Sequence, residues 1–182
     1  MSSPLLIKLA ELPEEGLQIQ VDQTEARFAS ALTGANEGEH RDHNPSGEAS
    51  VTIKPWPDRV DVEGSLRASL GSGCSRCAAS FSQPVERSFF RVYLREPPQN
   101  HEEEVELSRS DLDRDLLPDN ELDLGELLAE ELVLALPTKP LCMTDCKGIC
   151  SGCGAELNHR ECSCEPETDD RWASLKALKL KD

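Results

Sequence analysis

The residues in this chain best suited to chemistry are its eight cysteines. Six of them, Cys142, Cys146, Cys150, Cys153, Cys162 and Cys164, fall in one short stretch, and Cys74 and Cys77 form a Cys-x-x-Cys pair far upstream. Thiolates two or three residues apart on a tight, glycine-containing turn converge on a single cation, and Zn2+ takes four such ligands in a tetrahedron. Eight sulfurs therefore suffice for two closed sites, each holding a structural zinc ion. A lone Cys-x-x-Cys carries little weight, because redox-active proteins share it. Here the spacing Cys142-x3-Cys146-x3-Cys150-x2-Cys153-Gly and the pair Cys162-x-Cys164 accompany it, and the combination points to metal.

Disulfides would require an oxidising compartment. The start, Met1-Ser-Ser-Pro-Leu-Leu-Ile-Lys-Leu, has no basic opening, sustained apolar run or small-residue cleavage site of the kind that marks a secreted chain. The expected location is the cytoplasm, where clustered thiols serve as metal ligands or redox groups. Sequence proximity groups Cys150, Cys153, Cys162 and Cys164, and leaves Cys74 and Cys77 to meet Cys142 and Cys146. Other partitions stay open, including one zinc ion with spare thiols.

Catalytic zinc keeps a position for water and recruits His, Asp or Glu beside Cys. His159 lies within the cluster and could replace a cysteine, but reads as a solvent-facing loop residue, and His40, His43 and His101 sit in polar loops without a partner at ligand spacing. No glycine-rich phosphate loop, no Gly-x-Ser-x-Gly elbow and no distinct carboxylate pair is found. The expectation is a non-catalytic protein without a small-molecule substrate. A thiol redox or zinc-sensing protein that uses the Cys-x-x-Cys motifs is the alternative.

The elements that must hold these sulfurs are mostly strands. Leu5–Leu9 and Leu17–Val21 read as strands around the turn Pro13-Glu-Glu-Gly16, and residues 24–32 as a short helix. Residues 34–48 read as a loop. From Ala49 the apolar period is two: Ala49–Ile53, then Val60, Val62, Leu66, Ala68 and Leu70, then Val85, Phe89, Val92 and Leu94 on the returning strand, with Gly64 marking a bulge or a close approach. This is an antiparallel meander with Cys74 and Cys77 at a hairpin tip. Residues 96–120 are acidic and turn-rich, a solvated connection with one short edge strand at Val105–Leu107. A helix over residues 123–136 follows, capped by Asp123 with Glu126 three residues on, with Leu124, Leu127, Leu128, Leu132 and Ala135 as its apolar stripe and Pro137 as its stop. After Cys164 a last amphipathic helix carries Trp172, Leu175 and Leu178, with Lys176 and Lys179 as a local basic patch. The fold class is α+β: an antiparallel β meander or barrel-like body over residues 1–137 with a few short helices, and a Cys-rich zinc-binding segment over residues 138–182.

Acidic side chains number 35 against 19 basic ones, a net charge of −16, which repels a phosphate backbone and removes the usual source of non-specific nucleic-acid affinity. Basic proteins, ribosomal proteins among them, are the better partners, with any RNA contact confined to the Lys-rich C-terminus. No apolar run approaches the roughly 20 residues that span a bilayer, so no membrane partner is expected. With aromatics at 4% the core is aliphatic and modest, and metal adds stability that it lacks.

With these residues in place the chain resembles the bacterial and plastid YceD family, named for large ribosomal RNA subunit accumulation. The resemblance rests on Cys74-Ser-Arg-Cys77, the helix Leu122–Pro137, the cluster Pro140–Asn158 and the closing Arg171–Leu180, and covers about residues 49–180. The one departure is Ile149, where leucine is expected. The resemblance implies a role in producing or accumulating 23S ribosomal RNA, thus in large-subunit biogenesis, in a family with no established catalytic activity; the acidic charge adds that the direct partner is a basic ribosomal protein or another assembly factor.

Overall fold

The structure, a computed structural model, describes residues 5–35, 43–96, 114–117, 120–164 and 171. A five-stranded sheet is its spine, in the order β2 (Leu17–Asp22), β3 (Ser46–Pro55), β4 (Arg59–Gly73), β5 (Ser80–Leu94) and β6 (Arg114–Leu116). β2 to β5 pair antiparallel, and β6 pairs parallel with β5. Among the described residues the sheet is open, with β2 and β6 at its edges, so the expected meander forms but barrel-like closure does not. Strand alternation explains the core directly. Val51, Ile53, Val60, Val62, Leu66 and Leu70 point inward and are buried, while Thr52, Asp61, Glu63, Ser65, Arg67 and Ser69 on the other face are partly or fully exposed.

Helices α1 (Ala26–Ala35) and α2 (Leu124–Ala135) cover the inward face. The leucine stripe of α2 is buried as its period requires: Leu124, Leu127, Leu128 and Leu132 pack in one cluster with Phe28 and Leu32 of α1 and the sheet residues. Asp123 caps α2, its carboxylate accepting from the Glu126 N–H at 3.1 Å. The same carboxylate receives Arg27 of α1, which ties the two helices together. Glu131, the one charged residue on the buried side of α2, is fully enclosed and held by Arg87 and Arg91 of β5.

Several local expectations change. Leu6–Lys8 (β1) is a strand, but it pairs with β7 (Glu121–Asp123) and not with β2, while the turn before β2 is closed by the Gly16 N–H on Pro13 O at 2.9 Å. The long-range pairing wins because it lets Leu5 and Ile7 join the same core as α2. Helix α1 runs to Ala35 and β3 begins at Ser46, so both ends of the segment read as a loop over residues 34–48 belong to regular elements. Arg114–Leu116 is a strand inside the segment read as a solvated connection. Gly64 marks a close approach and not a bulge: its register with Phe89 is unbroken, and a Cβ there would lie 2.4 Å from the Phe89 ring. The expected edge strand at Val105–Leu107 and the C-terminal helix lie outside the described residues.

β4 and β5 outrun the rest of the sheet. Residues Leu70–Gly73 and Ser80–Gln83 pair only with each other among the described residues, beyond the last β3 partner, Ser46 opposite Ser69. The upstream cysteine pair sits at the end of this two-stranded ribbon.

Candidate metal centres

At the ribbon tip the chain turns through Cys74-Ser-Arg-Cys77-Ala78-Ala79. The Cys74 N–H donates to Ala79 O and the Ala78 N–H to Cys74 O, both at 2.9 Å, with Ala78 at φ 58°. Downstream, Cys150-Ser-Gly-Cys153-Gly154-Ala155 repeats the pattern: the Cys150 N–H donates to Ala155 O at 2.8 Å and the Gly154 N–H to Cys150 O at 2.9 Å, with Gly154 at φ 73°. The two Cys-x-x-Cys turns are thus the same knuckle in two places. The left-handed residue after the second cysteine closes each loop and leaves both sulfurs on one side.

The eight sulfurs fall into two groups, Cys74, Cys77, Cys142 and Cys146 in one and Cys150, Cys153, Cys162 and Cys164 in the other, with ligand atoms within 4.8 Å of one another in each. In the first group Sγ of Cys74 and Cys146 are 3.7 Å apart, and those of Cys77 and Cys142 3.6 Å. A tetrahedron with Zn–S bonds of about 2.3 Å has sulfur–sulfur edges of about 3.8 Å, whereas a disulfide brings sulfurs to about 2 Å. The first spacing is met, and all eight cysteines are free thiols. The donor set is soft and all sulfur, which suits a thiophilic ion. Each group could hold one.

Burial separates the two groups. Cys74, Cys77 and Cys146 are buried and Cys142 half-buried, packed with Phe81, Leu141 and Ala79 as a small cluster distinct from the main core. Cys153 and Cys164 of the second group are exposed. The Ser75 N–H donates to Pro140 O at 2.8 Å and Arg76 Nη1 to Cys146 O at 2.7 Å, so the ribbon tip grips the segment after α2 through backbone as well as sulfur.

Amide donors and neighbouring sulfurs split the thiol acidities. The Cys142 backbone N–H lowers Cys74 to about 6, and those of Cys153 and Gly152 lower Cys150 to about 6. Burial, reinforced by Cys77, pushes Cys142 up to about 12, and hydrogen bonding with Cys153 and Cys150 raises Cys164 to about 12. In each group one sulfur is prepared as an anion while another keeps its proton. A divalent cation would replace that proton.

Sequence reading overlooked Asn158, whose Nδ2 donates to Cys146 Sγ at 3.3 Å while its Oδ1 accepts from the Lys147 N–H at 2.8 Å. An amide residue between two cysteine pairs was the available signal. His159 is exposed, 3.5 Å from Glu156, and belongs to neither sulfur group; His40 and His101 lie outside the described residues. No helix among the described residues is long and apolar enough to cross a membrane.

The chain is similar to several known proteins. An uncharacterized protein of Mycobacterium tuberculosis is 24% identical over 181 residues, covering 96% of this chain and 81% of its own length. A chloroplastic protein of Arabidopsis thaliana, named large ribosomal RNA subunit accumulation protein YCED homolog 1, is 26% identical over 68% of this chain, and its counterpart in Zea mays is 25% identical over 71%. The chain spans about half the length of these plant proteins, 45% and 52% respectively. No solved structure matches the chain. The match to the family described as large ribosomal RNA subunit accumulation protein YceD runs from residue 62 to 179, taking in both knuckles, α2 and all eight cysteines, and the chain belongs to that family.

Proposed function

We propose that this protein is a non-catalytic, cytoplasmic factor supporting the synthesis, processing or accumulation of 23S ribosomal RNA, with two structural zinc ions. Cys74, Cys77, Cys142 and Cys146 ligate one, and Cys150, Cys153, Cys162 and Cys164 the other. A β-rich body, residues 1–137, carries a Cys-rich segment, residues 138–182, and the first ion fastens the two together. The observation that supports this reading is the gathering of four sulfurs in each group, all within 4.8 Å of one another. Four thiolates around one ion would fill every vertex of a tetrahedron and leave no position for water or substrate.

The net charge of −16 makes a basic ribosomal protein or assembly factor the direct partner, with pre-23S RNA touched through the Lys-rich C-terminus as a secondary contact. Two measurements test this. Purified protein carries two zinc ions per chain, and Cys77→Ser carries one. Cells lacking the protein show a lowered ratio of large- to small-subunit RNA, and tagged protein recovers large-subunit components. Unchanged RNA ratios, or metal-dependent RNA turnover by the loaded protein, would overturn the reading.

The exposure of Cys153 and Cys164 favours one second reading, in which the outer group releases its metal on oxidation and acts as a thiol redox or zinc sensor. Native mass spectrometry before and after mild oxidation separates the two. A sensor loses one zinc reversibly with the fold intact, whereas a purely structural site loses metal only as the fold is lost.

A further inference from the structure

We infer that Asn158 couples the two sulfur groups, so that metal in the Cys150 group tightens metal binding in the Cys74 group; the inference rests on the metal reading above. Asn158 lies in the chain between Cys153 and Cys162 of the outer group, yet its side chain serves Cys146 of the inner one. Its position is fixed by the outer group's own fold. The Leu157 N–H donates to Gly148 O at 2.9 Å, Ile149 bridges Glu156, and the Cys150 N–H donates to Ala155 O at 2.8 Å.

The orientation of the amide follows from its neighbour. The Lys147 N–H is only a donor, so it must meet the oxygen, and this turns the Nδ2 hydrogens toward the Cys146 sulfur. Cys146 is 1% exposed, where water does not supply a competing donor. Four thiolates around one divalent cation carry excess negative charge, and an N–H aimed at a ligating sulfur takes up part of it. Such outer partners are worth about 10- to 100-fold in metal affinity. Metal that orders the outer loop therefore places a donor on the inner site, and by reciprocity metal in the inner site steadies the outer loop.

The test uses the full chain with Co2+ alone as probe, read by its thiolate charge-transfer absorption and by chelator competition. Cys77→Ser and the pair Cys162→Ser with Cys164→Ser serve to assign each site's signal. Asn158→Leu removes both contacts, whereas Asn158→Asp keeps an oxygen for Lys147 but sets a charged carboxylate oxygen, which cannot donate, against the sulfur. Both variants should bind Co2+ at the inner site about tenfold more weakly and shift its charge-transfer band, and by the same reciprocity the outer site should weaken only when the inner one is loaded. With the outer site disabled, inner affinity should fall to the same extent, and either Asn158 change should then add nothing. Wild-type affinity and spectrum in Asn158→Asp, or losses that simply add, would overturn the coupling. Fewer than two Co2+ ions on the unaltered chain would instead sink the metal reading, and the coupling with it.

Discussion

Glu131 and Arg87 meet across the interface between α2 and β5, the carboxylate wholly buried and the guanidinium about a third exposed. Arg91, one pleat pair along the same strand, takes the other carboxylate oxygen. The two sides of this arrangement are unequal. Either arginine can swing to water if the acid is removed, but the acid has nowhere to go if both arginines are removed.

Replacing Arg87 and Arg91 together by alanine should therefore cost about 4 kcal/mol, the loss typical of an uncompensated buried charge. Glu131→Leu should cost less than half of that. Urea denaturation of the three proteins reads the order, and an equal loss in both would show that packing rather than charge decides it.

Gly64 and Phe89 give a second test, of shape alone. The ring occupies the space of the missing side chain, so Gly64→Ala must displace it, at about 2 kcal/mol by the usual cost of overpacking. Phe89→Leu in the same chain should recover most of the loss. A melting temperature unchanged by Gly64→Ala would contradict the contact.

The paired knuckles predict opposite effects of similar changes. Gly154 has open space around its Cα but a left-handed backbone, so Gly154→Ala should cost about 1 kcal/mol through backbone conformation only. Ala78 bears that penalty already, and Ala78→Gly should be neutral or stabilising by about 0.5 kcal/mol once the greater freedom of the unfolded glycine is set against it. Thermal denaturation of the zinc-loaded variants checks both signs.

Acid should strip the metal. Thiols lowered to about 6, as in Cys74 and Cys150, contribute above their ordinary value of 9.0, and that contribution is lost as pH falls through about 6. Cys142 and Cys164, raised to about 12, hold protons at neutral pH that metal must displace. Metal affinity, read by chelator competition, should thus fall more steeply with pH below about 6 than above it, and loading in weak buffer should release protons. An equal slope on both sides of that point would refute it.

Chelation should unfold the molecule unevenly. Among the described residues the apolar partners of the inner sulfur group are Phe81, Leu141 and Ala79, too little surface to stand without a metal ion, whereas the main core lies between the sheet and the two helices. Hydrogen exchange after chelator treatment should show residues 138–164 unprotected and β3 to β5 protected up to about Leu70.

Much of this was legible in the chain. The alternation from Ala49 to Leu94 gave three strands and the side each residue faces, and the leucine stripe with Asp123 before it gave α2 nearly to the residue. These signals are local, repeating within one turn or one pleat. What stayed hidden depends on distant partners. Leu6 pairs with Asp123, and Arg27 reaches the same residue, through contacts that no neighbouring residue records. Arg114–Leu116 is exposed throughout and has no apolar alternation to reveal it. Glu131 reads as an interruption of the leucine stripe until its two arginines are seen. The eight thiols were visible as candidates from spacing, but Asn158 was not, because its importance comes only from the sulfur it faces.

The ribbon beyond the sheet gives the molecule a fixed reach. Fifteen residues of β4, at about 3.3 Å each, set the inner knuckle about 50 Å from the Arg59 end of the strand. Strand geometry makes that reach a gauge with discrete settings. Deleting one cross-strand pair between Leu70 and Gln83 would shorten it by one residue's rise and turn the knuckle to the opposite face, while deleting two would shorten it further and restore the face.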